Sequence, residues 1–111
     1  MPVTYGFGGG DAARVQADLD VTSFRTVTGS GATTASDEAI AVDPSAGPVE
    51  LTLHSAVSAP GGQLEIKRLA GFDVTVRAAP GELIDADAQR VLTATWESLI
   101  LRSDGVRWLV F

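Results

Sequence analysis

The chain has 111 residues, a length typical of one domain, and 45% of them are hydrophobic, which suffices for one modest core. It contains no cysteine, so disulfides and thiolate metal sites are excluded. It also has no apolar run near the roughly 20 residues of a membrane span. We therefore expect no membrane partner. The net charge is −6 and the eight basic residues are dispersed, which argues against nucleic acid as a partner.

The first ten residues are rich in glycine and carry two aromatic side chains, Tyr5 and Phe7. The segment GFGGG at 6–10 lacks the spacing of a phosphate-binding loop, and no strand is predicted before it. One interpretation is a flexible arm. The other is an arm that becomes ordered on a partner, with Tyr5 and Phe7 as its contacts.

Residues 11–20, DAARVQADLD, fit two structures. Asp11 could cap a short helix with Val15 and Leu19 on one face. Apolar and polar residues also alternate along the segment, as in a strand, and we favour this extended form because everything downstream is strand-like. We predict that residues 1–22 form a flexible or extended N-terminal arm that docks on a partner. Its expected contacts are Tyr5, Phe7, Val15 and Leu19.

From residue 23 onward, short β-branched segments are separated by turn-forming stretches such as DPSAGP at 43–48 and APGG at 59–62. Turn signals recur about every 8 to 12 residues, and strict alternation marks segments such as VELTLH, a pattern typical of all-β domains. We predict that residues 23–111 form one all-β domain, an antiparallel β-sandwich or barrel-like fold of about eight short strands. Strands are expected at 24–28, 40–42, 49–54, 63–68, 72–77, 91–95, 98–102 and 107–111.

The last residues, LILRSDGVRWLVF, predict a hairpin that turns at Ser103, Asp104 and Gly105. On its final strand Trp108 and Val110 would face one side, and Leu109 and Phe111 the other. A strand that is apolar on both faces needs a cover on each, and a single small β-domain has little to supply one. We therefore expect Trp108 and Phe111 to contact a neighbouring subunit.

Residues with catalytic or metal-binding chemistry are sparse. The single histidine, His54, has no second His or Cys at metal-ligand spacing, so we expect it at a surface or interface. Asp85 and Asp87, with Glu82 nearby, are expected to stabilise a turn. A cation or glycan contact and acid–base hydrolysis of a glycan are the alternatives for these carboxylates. No cofactor is expected, and Trp96 is expected in core or interface packing or, alternatively, stacked on a sugar.

Three stretches carry a resemblance, namely DEAIAVDPSAGPVELTLHSA, LEIKRLAGFDVTVRAAPGELID and WESLILRSDGVRWLVF. Their order and spacing resemble the small β-modules of tailed-bacteriophage virion proteins, which occur at the distal ends of tail fibres and in other particle appendages. The sequence departs from these modules in two places. His54 stands where they usually carry proline, and IDADAQ lacks the glycine that usually follows ID.

The resemblance implies a non-enzymatic structural protein, a homotrimer on the exterior of the virion. Tail fibres are usually long chains with such a module at the end, whereas this chain is short and begins with Met. We therefore expect a capsid decoration (cement) protein or head fibre that contacts the major capsid protein. The alternative is a tail-fibre or tail-tip module that binds a host receptor or host-surface glycan.

Overall fold

The computed structural model describes residues 24–111, which form strands and loops without a helix, so no membrane-spanning helix occurs among them. The expected arm contacts Tyr5, Phe7, Val15 and Leu19 lie outside the described residues. The all-β prediction is confirmed. The strands are β1 (Phe24–Val27), β2 (Gly31–Ala32), β3 (Ala39–Val42), β4 (Val49–Thr52), β5 (Gln63–Arg68), β6 (Val74–Arg77), β7 (Gln89–Leu92), β8 (Ser98–Ser103) and β9 (Trp108–Val110).

The strands form two open, mixed sheets. The five-stranded sheet has the order β1-β3-β5-β8-β9, and the four-stranded sheet has the order β2-β4-β6-β7. Because the first six strands alternate between the sheets, each strand from β3 to β6 lies parallel to the strand two places earlier. Only β7, β8 and β9 add antiparallel pairs. The prediction of an antiparallel sandwich or barrel-like fold therefore needs correction in two respects: four of the seven strand pairs are parallel, and the two sheets do not close into a barrel.

The physical reason lies in the crossovers. A parallel connection needs a long return path, and here each return path runs through a strand of the other sheet. Alternation of apolar residues reports which face of a strand is buried, but it carries no information on strand direction. The sequence pattern was therefore compatible with either arrangement.

Both sheets contribute to one hydrophobic core. On β5, Leu64 and Ile66 face the core while Gln63 and Glu65 are exposed, as the alternation predicts. The two most buried residues of β6, Val74 and Val76, come from the opposite sheet. The remaining core members are Ile40, Val42, Val49, Leu51, Leu53, Ala56, Ala78, Ile84, Leu92, Leu99, Leu101 and Trp108.

Three local predictions need correction. The strand β2 was not predicted, because it lies between the expected strands 24–28 and 40–42. Phe72, expected on the buried face of β6, is exposed in the preceding loop, where its N–H donates to the Pro44 carbonyl at 3.0 Å. The β8–β9 hairpin has a four-residue loop, because the Asp104 carboxylate accepts the N–H groups of Val106 and Arg107 and only Gly105 has positive φ.

Candidate functional site

Trp108, expected at a partner interface, lies in the core of its own chain. Its side chain is 0% exposed, and its indole Nε1–H donates a hydrogen bond of 3.1 Å to the His54 carbonyl. The expectation for this residue is therefore wrong, because no part of it reaches the surface. Phe111, the other expected contact on the last strand, is 73% exposed and remains available to a partner.

His54 is half-buried, and its hydrogen bonds join the segment after β4 to Thr33 and to Trp108. Its Nδ1 lies 2.7 Å from the Thr33 hydroxyl, which also accepts the His54 backbone N–H at 2.9 Å. Burial lowers the pKa of the His54 imidazole, against the opposing charges of Asp37 and Glu82. These contacts give the histidine a structural role. Within residues 24–111 no group of three or more His, Asp or Glu side chains is placed to hold a metal ion.

The carboxylates considered for chemistry hold loops together instead. Glu82 accepts the Ser55 hydroxyl at 2.5 Å and the Ala56 N–H at 2.8 Å. Asp85 has a left-handed φ of 54°, and its carboxylate accepts the Val110 N–H at 3.0 Å and pairs with Arg90 at 2.9 Å. Both carboxylates therefore have partners that fix the loop around them.

Asp87 contributes through its backbone. Its N–H and carbonyl form an isolated bridge with Ile84, which spans the same loop. The Asp85 N–H in turn donates to the Trp108 carbonyl at 2.8 Å, so this loop packs beside β9. The contacts agree with a turn role for this acidic segment.

The first candidate interaction surface is the outer face of the five-stranded sheet. The strand registers place Phe24, Ala39, Glu65 and Ile100 in one row across this face. Phe111 extends the row, because its N–H donates to the Ile100 carbonyl at 2.9 Å. The exposed fractions are 65% for Phe24, 38% for Ile100 and 73% for Phe111. Large apolar side chains thus lie at both margins of the face.

Small residues lie between those margins. Ala39 and Ala41 of β3 share this face and pair with Glu65 and Lys67 of β5. An open groove of about 450 Å³ occurs here, lined by Glu38, Ala39, Gln63 and Glu65. The face therefore has two apolar margins and a shallow, more polar middle.

The outer face of the four-stranded sheet is different. Its exposed side chains include the Glu50–Arg77 ion pair, and Thr52 and Thr75 lie on the same side. Among the described residues of this outer face, Val91 is the large apolar side chain that is exposed. A polar outer face is what a solvated sheet normally presents, so the apolar margins distinguish the other sheet.

The second candidate surface, which we call the aromatic end, comprises the loops 69–73 and 93–97. The buried Arg68 joins them: its Nε donates to the Phe72 carbonyl at 3.0 Å and its Nη1 to the Thr95 hydroxyl at 3.4 Å. A further Arg68 hydrogen bond reaches the Gly71 carbonyl. Phe72 and Trp96 are both exposed on these loops.

Trp96 is unusual in two respects. It has a left-handed φ of 69°, a conformation that disfavours any L-residue with a side chain, and it is nevertheless 64% exposed. The turn around it is well fixed, because its N–H donates to the Arg68 carbonyl at 2.9 Å and Glu97 accepts the N–H groups of Thr93 and Ala94. Those two hydrogen bonds lower the pKa of the Glu97 carboxyl.

Sequence patterns indicated Phe111 as an interaction residue and Trp96 as a core, interface or sugar-stacking residue. The exposure of Trp96 contradicts the core position, and no pattern predicted that Phe72 would lie beside it at the aromatic end. Arg68 ends the predicted strand 63–68, and no motif showed that its guanidinium would be buried and join two loops. The chain matches no family model, no curated protein and no solved structure.

Proposed function

We propose that this chain is a non-enzymatic structural protein of a bacteriophage particle, a homotrimer on the capsid exterior that acts as a decoration protein or head fibre. The observation that carries the proposal is the number of large apolar side chains exposed on an acidic domain. Within residues 24–111 there are eight of them: Phe24, Val57, Phe72, Val91, Trp96, Ile100, Val106 and Phe111.

These side chains are spread over separate parts of the surface. Phe24, Ile100 and Phe111 lie on the outer face of the five-stranded sheet, and Phe72 and Trp96 lie at the aromatic end. Val106 lies in the β8–β9 loop. Single exposed apolar residues are ordinary, but grouped ones mark contact surfaces. Several such groups suit a protein that contacts other copies and a larger assembly at once.

The resemblance to phage virion modules supports the identity of that assembly. It covers residues 37–111. Its three stretches, 37–56, 64–85 and 96–111, contain β3 and β4, then β5 (except Gln63) and β6, then β8 and β9, whereas β7 lies between the second and third stretches. The predicted docking arm, residues 1–22, precedes the first strand of this domain. We propose that the arm binds the major capsid protein, which leaves the strands free for contacts between copies.

The test is particle binding by the purified chain. The full chain and a variant without residues 1–22 are incubated with particles that lack this protein, and bound protein is measured after sedimentation of the particles. We expect the full chain to bind and the shortened chain to remain in solution. Equal binding by both would contradict docking through the arm, and binding by neither would contradict the proposed location.

Trp96 favours a second candidate function, a tail-fibre or tail-tip module that binds a host glycan. An exposed indole offers a flat face for a sugar ring, and exposed Thr93 and Thr95 are close to it in the chain. The buried Trp108 provides a constant reference in fluorescence. Titration with oligosaccharides released from the host cell wall should change Trp96 emission if this function holds, and unchanged emission would count against it.

A further inference from the structure

We infer that the outer face of the five-stranded sheet is the surface through which copies of this chain contact one another. The inference rests on the proposed homotrimer and adds which surface forms it. The occupant is a second copy of the chain, with the β1 margin of one copy against the β9 margin of the next.

The position of the apolar residues is the first argument. Phe24 lies on β1 and Phe111 follows β9, and these are the two edge strands of the sheet. Cyclic assemblies of three use head-to-tail contacts, in which one patch meets a different patch on the neighbour. A sheet face that turns toward a three-fold axis meets one neighbour along each margin. Apolar residues at both margins therefore match this arrangement better than a single central patch would.

Charge is the second argument. The described strands and groove of this face carry Glu38, Glu65, Lys67 and Arg102, which are two acidic and two basic side chains. The whole chain carries −6, so copies repel each other over most of their surface. This face has no net charge, so copies can approach through it. Glu65 also lies between Lys67 and Arg102 in the register, so opposite charges are available to a facing copy.

The size of the face limits what it can contribute. Five strands about 4.8 Å apart, with up to six residues of about 3.3 Å each, give a face of roughly 24 by 20 Å, a flat area of about 480 Å². Stable interfaces bury about 800 Å² per partner. The face therefore supplies the apolar part of each subunit contact, and residues beyond it complete the buried area.

The experiment measures the oligomeric state of the full chain by sedimentation velocity over a range of concentrations. The test variants are Phe24→Ser and Phe111→Ser, one at each margin, and both residues are exposed, so the fold should be retained. The matched control is Val91→Ser, an exposed apolar residue on the other sheet. Circular dichroism and urea unfolding verify that each variant is folded.

We expect a trimer for the wild-type chain and for Val91→Ser. Each margin variant should weaken association by about tenfold or more, since it removes one large apolar side chain from the contact. A trimer that persists unchanged in both margin variants would overturn the inference but leave the proposed homotrimer standing. A wild-type chain that is monomeric at every concentration would overturn both.

Discussion

The indole nitrogen of Trp108 lies 3.1 Å from the carbonyl oxygen of His54, and the two rings meet edge to face with centroids 5.1 Å apart. The two residues are 54 positions apart in the chain, so this contact joins the last strand to the segment that follows β4. Chain ends are usually poorly ordered unless something fixes them. Here a buried tryptophan and its hydrogen bond fix β9 to the core.

Replacement of Trp108 by Phe should lower the free energy of unfolding by about 2 to 4 kcal/mol, because it leaves the His54 carbonyl without its donor and opens a cavity. Urea unfolding measures the change. Phe111→Ser, three residues later on the exposed side, should change stability by less than about 0.5 kcal/mol in the monomer. Equal losses in the two variants would contradict the assignment of Trp108 to the core.

Stability should depend on pH through His54. Burial lowers its pKa below the ordinary value of 6.5, so the folded protein binds this proton less readily than the unfolded chain. The contribution of the neutral imidazole to the free energy of unfolding is fully present above pH 6.5, and it is lost as the pH falls from there through the lowered pKa. Urea unfolding of the wild-type chain and of His54→Gln between pH 7.5 and 4.5 measures this.

The glutamine variant should lose this part of the pH dependence and keep the rest. Asp37 acts in a lower window, because the hydrogen bond from Arg25 holds its pKa below 3.8 and its contribution declines only as that carboxyl protonates. A slope near pH 6 that is the same in both proteins would show that His54 is not its source.

Gly71 should tolerate no side chain. It has a φ of 140°, and a Cβ placed there would lie 2.5 Å from the Pro44 carbonyl oxygen. Gly71→Ala should therefore cost about 2 to 4 kcal/mol through backbone strain and displacement of the adjacent loop. Gly47→Ala is the matched control, since a Cβ there meets nothing within 4 Å, and it should be neutral or slightly stabilising. Thermal unfolding of both variants measures the two changes in stability.

Trp96→Gly should leave stability unchanged or raise it by up to about 1 kcal/mol. Glycine removes the cost of a left-handed φ, and this gain exceeds or balances the entropy that glycine adds to the unfolded chain. Chemical denaturation tests this. A loss above about 1 kcal/mol would contradict this and would mean that the exposed indole stabilises the fold.

Alternation in the sequence predicted which residues of each strand are buried. Leu64 and Ile66 on β5 were assigned to the core in this way, and the structure confirms them. Strand direction was not predictable, because the same alternation fits parallel and antiparallel neighbours. The mixed sheets arise from crossovers through the opposite sheet, which depend on contacts far apart in the chain.

The residues that could contact a partner were also only partly predictable from the sequence. Phe111 and Trp108 both belong to the apolar C-terminal segment, but only the register with β8 and the hydrogen bond to His54 show which of them is buried. At Trp96, left-handed φ and exposure follow from the turn that Arg68 and Glu97 stabilise. No local sequence pattern reports such a turn for a tryptophan.

The most direct test of the proposed function is the number of copies of this chain on purified particles, measured by quantitative mass spectrometry against the major capsid protein. We expect many copies in fixed proportion to the capsid protein, as three-fold decoration of a capsid requires. A handful of copies per particle would place the chain on a tail instead, and its absence from the particles would contradict a virion role altogether.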